Sequence, residues 1–137
     1  MTRIRSQRES HRRVRRVLAA SPWLAAAVFG GWAAFVNLGH GGGVAARAGL
    51  GQGGYALVAT WLVTGTAVSV LRLGGGGWRG AGLAFPAAFS VMVALPLAVH
   101  LSLGTPEIAA AMTPGLLWGS GYVIVLLAWH RRSAEQA

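Results

Sequence analysis

The chain has 137 residues, of which 54% are hydrophobic and only 11% charged, with a formal net charge of +9 and no cysteine. Soluble domains carry about 25% charged residues, so a water-soluble globule is a poor reading. The missing cysteines exclude a disulfide framework, a thiolate metal site and a cysteine nucleophile.

The N-terminal stretch "TRIRSQRESHRRVRR" holds seven of the twelve basic residues, all arginine: Arg3, Arg5, Arg8, Arg12, Arg13, Arg15 and Arg16. Clustered arginine can neutralise nucleic-acid phosphates. Here the cluster abuts an apolar run and has no aromatic residues interleaved for base stacking. The expected partner is therefore the anionic headgroups of membrane lipids, with no nucleic acid. There is no Lys and no Asp in the chain, and Ala and Gly abound. That combination points to a compositional bias toward GC-rich codons.

Four apolar segments follow, at about 22–38, 50–71, 81–103 and 108–129. Each is near the ~20 residues that cross a ~30 Å hydrocarbon core as a helix. None has a polar face, so a soluble bundle would leave nothing to meet water. The first segment exceeds the apolar core of a signal peptide, and three more spans follow, so it is expected to be retained. The paired arginines of the tail lack the spacing of a twin-arginine export signal. Pro86, Pro96 and Pro114 fall inside these segments. Membrane helices tolerate such prolines where neighbours bond the freed carbonyls.

With four spans, one side holds the N-tail, the turn at 72–80 and the C-tail, and carries eleven arginines. The other side carries Arg47 alone. Lys and Arg beside spans mark the cytoplasmic side, so both termini are expected there. The same imbalance argues against a dual-topology dimer. Trp23, Trp78 and Trp129 fall at the expected cytoplasmic interface, whereas Trp32, Trp61 and Trp118 fall deeper and are expected to pack between helices.

Small residues recur at four-residue spacing: Ala26, Gly30 and Ala34; Gly49 and Gly53; Gly115 and Gly119. Such faces let helix backbones approach closely. They serve either packing within one chain, the favoured reading, or a homo-oligomeric seam.

The costly polar groups gather at the non-cytoplasmic end. Asn37 and His40 end the first span, Arg47 and Gln52 begin the second, His100 ends the third, and Thr105, Glu107 and Thr113 begin the fourth. Ionisable groups near an apolar core are expensive and often functional. The candidate ligand-binding set is Asn37, His40, Arg47, Gln52, His100 and Glu107. Residues 39–49 are expected to form an exterior turn, with Arg47 paired to Glu107. "TPE" at 105–107 also reads as a helix start, Thr105 capping and Glu107 complementing the dipole.

Catalytic chemistry finds no footing. No two carboxylates lie close in the chain, and no Asp exists to orient a Ser–His pair. "GGGG" at 74–77 lacks the Lys and spacing of a phosphate loop. Two histidines on different helices, with Glu107 alone to complete the set, make a poor zinc site. No metal and no cofactor are expected, and an enzyme ranks last among the readings. No stretch carries a family signature.

The sequence thus predicts an all-α integral membrane protein, four transmembrane helices in a compact bundle, in a bacterial inner membrane. Its parts are a basic cytoplasmic tail (1–20), the four-helix domain (21–130) and a cytoplasmic C-terminal tail (131–137). The expected function is transport or lipid handling through the polar end, alone or as a subunit. The alternative is a structural or accessory subunit of a larger membrane complex with no ligand of its own.

Overall fold

The structure, a computed structural model, describes residues 22–135. The basic tail over 1–20 lies outside them. The described residues are all helical, with no strands: α1 (Pro22–Val36), α2 (Gly42–Leu73), α3 (Gly77–Ser102) and α4 (Ile108–Glu135). Helices α2, α3 and α4 are long and apolar enough to cross a membrane, while α1 is a shorter apolar helix. Helix α4 continues through 131–135, into the stretch expected to be a tail.

Glycine makes each connection. A 3-10 turn (Leu38–His40) and Gly41, at φ 100°, join α1 to α2. Gly75 and Gly76, at φ 77° and 71°, turn α2 into α3, and Gly104, at φ 61°, ends α3. At the last two sites the amides bond back to the helix they leave: Gly75 to Arg72 and Gly76 to Leu71, then Gly104 to Leu101 and Thr105 to His100. These are paired Schellman closures, which satisfy carbonyls that a helix end would orphan. Connections this short make sequential helices antiparallel neighbours.

Helix α2 touches all three others. It meets α1 through small residues. A Cβ built on Gly30 would lie 2.7 Å from the Gly49 carbonyl oxygen, and one on Gly53 would lie 3.0 Å from that of Ala26. Gly119 of α4 receives Met92 of α3, whose Cε would be 2.6 Å from a Cβ there. The small-residue faces are therefore used inside this chain.

The core has two halves. Toward the 74–76 turn it is apolar, built from Val63, Ala67, Leu71, Ala84, Ala88, Met92, Val123 and Leu127. Toward the opposite end the buried residues include Asn37, Gln52, His100 and Thr105.

Three expectations are corrected here. The turn is only residues 37–41, not 39–49, because the alanine-rich 44–48 stretch has nothing that forbids a helix and buries Ala45 and Ala48. Trp61 and Trp118 do not pack inside; they are 78% and 76% exposed. Helices that approach through Gly and Ala leave no room for an indole, so the bulky side chains face outward. Trp32 is partly exposed too, but its indole N–H donates to the Ala110 carbonyl at 2.8 Å. That is the carbonyl whose helical partner is missing at Pro114, four residues on. Trp78 and Trp129 lie on the outer surface toward the end that holds the 74–76 turn, but Trp23 does not reach it. Trp23 is exposed near the start of the short α1, whose Gly30 and Ala26 pack against Gly49 and Gly53, so it stands beside the middle of α2.

Candidate functional site

The polar end is assembled from α2, α3 and the connections that join α1 to α2 and α3 to α4. Asn37 leaves α1 fully buried and bridges outward from it: its Nδ2 donates to the Ala33 carbonyl at 2.9 Å, and its Oδ1 accepts from the Glu107 backbone N–H at 3.1 Å. The first N–H groups of a helix have no internal partner. Asn37 supplies one across the bundle, so α1 caps the start of α4. Thr105 does not cap the helix, as the "TPE" motif suggested. Its hydroxyl turns back to His100 instead.

His100 is fully buried, two residues from the end of α3. Its Nε2 donates to Gln52 Oε1 at 2.9 Å. The neutral ring then accepts the Thr105 hydroxyl at Nδ1, 3.0 Å away. Both ring nitrogens are thereby used, and α2, α3 and the α3–α4 connection are joined at one point. A buried amide or imidazole left unpaired would cost about 1–3 kcal/mol, so this arrangement sets the register of the three elements.

Nearer the surface, His40 Nε2 lies 3.3 Å from Glu107 Oε1, both side chains about half exposed. Of the six expected site residues, Asn37, His40, Gln52, His100 and Glu107 are brought together at one end of the bundle. Arg47 is not among them. It is exposed, and among the described residues Glu107 pairs with His40 instead. The reason is helical phase. Because α2 begins at Gly42, Arg47 sits on the turn between buried Ala45 and Ala48 but faces away from both. No three His or Glu side chains converge among the described residues.

Below this polar end lies a cavity of about 570 Å³. Its walls include Phe29 of α1, Tyr55, Ala59 and Thr60 of α2, Pro96 of α3, and Met112 and Gly115 of α4, and the largely exposed Trp118 borders it on the outer surface. Gln52 also lines it, so one amide belongs both to the His100 network and to the cavity. Toward the other end Tyr122, also in the lining, shares a 2.8 Å hydrogen bond with Thr64 of α2. Tyr55 is the exception to the general pairing of polar groups. Its hydroxyl is buried with no hydrogen-bond partner among the described residues.

Sequence reasoning missed Tyr55 and the cavity. Tyr55 reads as one more apolar residue in a greasy span, although its place three residues after Gln52, on the same helix face, was a usable signal. Comparison with protein-family models, curated proteins and solved structures finds no match to this chain.

Proposed function

We propose that the chain is an integral membrane protein of four spans, with both termini in the cytoplasm. We propose further that it acts as a small transport or lipid-handling protein, binding a lipid-like molecule in the cavity lined by the four helices. The cavity carries this reading. Ligand sites are typically about 300–1,000 Å³, mostly apolar, with a few fixed polar groups. This one has about 570 Å³, apolar walls, and Gln52 and Tyr55 toward the polar end.

The membrane assignment is supported by three helices of sufficient length and apolar character. It is supported too by the outward-facing Trp61, Trp118 and Leu117, which in water would form an unprotected apolar surface. The orientation rests on the arginine asymmetry. In that orientation the His40–Glu107 pair faces the non-cytoplasmic side, and the Arg-rich tail meets anionic headgroups in the cytoplasmic leaflet. The setting that fits is a bacterial inner membrane.

Native mass spectrometry of the detergent-solubilised chain, beside an Ala59→Phe variant that fills the cavity, tests the reading. A retained lipid-like adduct lost in the variant is the expected result. Identical spectra favour the second reading, an accessory subunit without a ligand of its own. The observation behind that alternative is the polar end, where Asn37 and His100 are fully engaged with their own chain.

A further inference from the structure

We infer that the cavity selects an uncharged lipophilic molecule whose head presents a carbonyl oxygen, such as an acyl ester or a quinone, rather than an anionic phospholipid. This rests on the cavity-binding function proposed above and adds the chemistry of its ligand.

Three observations converge on it. First, among the described residues none that lines the cavity is charged. A phosphate or carboxylate brought into such a place would lose its hydration and gain no counter-charge, which is prohibitive for an ion. Arg47, the nearest basic residue in sequence, stands on the outer face of α2.

Second, the amide of Gln52 has a fixed direction. Its Oε1 is taken by His100 Nε2, so its Nε2, with two N–H donors, is left for other partners. A Cβ at position 115 would stand 3.3 Å from that nitrogen. Glycine there leaves the amide uncovered where α4 passes it.

Third, Tyr55 lines the same cavity, and its hydroxyl is buried without a partner. Residues three apart are neighbours on a helix face, so Gln52 and Tyr55 form one short row of donors. Donor groups on two neighbouring side chains, with no acceptor left beside them on the Gln52 amide and no charge among the described lining residues, match a neutral acceptor that brings no proton of its own, such as a carbonyl oxygen. The apolar remainder of the cavity, with Phe29 and Met112 in its walls, suits the hydrocarbon part of such a molecule.

The full-length chain in detergent is titrated with four probes of matched chain length: a diacylglycerol, a prenylated quinone, a fatty alcohol and phosphatidylglycerol. Binding is read by native mass spectrometry and by thermal shift, in wild type, Tyr55→Phe and Ala59→Phe. The diacylglycerol or the quinone is expected to bind, and which of the two binds better distinguishes the two sources of the carbonyl. The fatty alcohol and phosphatidylglycerol are expected to bind at least tenfold more weakly. Tyr55→Phe, which keeps the ring, should weaken the carbonyl probe about tenfold, the effect of one buried hydrogen bond. Ala59→Phe should abolish binding of every probe.

Probes that bind and are displaced by Ala59→Phe, but with phosphatidylglycerol as tight as the neutral esters or with Tyr55→Phe unchanged, would overturn the carbonyl assignment and leave the cavity function standing. No binding of any probe, with Ala59→Phe indistinguishable from wild type, would overturn both.

Discussion

Replacing His100 by alanine would strand two polar partners at once, the Gln52 carbonyl and the Thr105 hydroxyl. Both residues are buried, so the loss should be about 1–3 kcal/mol, read as a lower melting temperature in detergent; an unchanged melt would mean the network is not formed. Asn37→Ala should cost a similar amount, because it removes the acceptor that caps the start of α4. Glu107 offers a sharper comparison. In double-mutant cycles, His40→Ala with Glu107→Ala should show coupling below about 1 kcal/mol, as expected for a half-exposed pair. Arg47→Ala with Glu107→Ala should show none, and coupling there comparable to the His40 cycle would contradict the geometry. Five members of the polar end were legible in the sequence, because a polar side chain at the end of an apolar run has few places to go. Their partners were not. Arg47 and His40 both looked able to meet Glu107, and the choice depended on where α2 starts, which shifts the direction of every side chain by ~100° per residue.

The helices are held by shape more than by bulk. Gly30→Ala would press a methyl group against the Gly49 carbonyl, whereas Gly31 has nothing within 4 Å of the same position. The first substitution should cost about 1–3 kcal/mol through overpacking, and the second should be neutral or slightly stabilising. Equal melting temperatures for the two variants would mean that α1 and α2 do not pack as described. The pair Trp32 and Pro114 makes a second test of element contacts. Trp32→Phe removes the indole donor from the Ala110 carbonyl. Pro114→Ala restores the helical N–H that would serve that carbonyl from within α4. Trp32→Phe should therefore destabilise the native chain more than it destabilises the Pro114→Ala variant, as thermal melts of the four proteins would show. The small-residue spacing and the in-helix prolines were readable in advance, since each is a local pattern. The orientation of Trp61 and Trp118 was not. Depth along a span says nothing about which side of the helix meets a neighbour.

The four helices and their order follow from hydropathy, whereas the start of α2 and the cavity do not: the first depends on how far a helix extends into a glycine- and alanine-rich stretch, and the second arises from how the four helices fail to fill the space between them. The orientation is checked by reporter fusions: one placed after residue 137 should be active only as a cytoplasmic reporter, and one inserted at Gly39 only as an exported reporter. The reverse pattern would overturn the charge-based assignment. One further property of the whole molecule comes from the length of α2. It has 32 residues, which at 1.5 Å per residue is about 48 Å, against a hydrocarbon core of ~30 Å. In a bilayer such a helix leans or protrudes, and the extent of the lean depends on the thickness of the membrane around it. The same helix carries Gln52, Tyr55, Ala59 and Thr60, one wall of the cavity. If the chain spans a bilayer as proposed, a thinner membrane that increases this lean carries that wall with it, and membrane thickness becomes a variable to which the shape of the cavity responds.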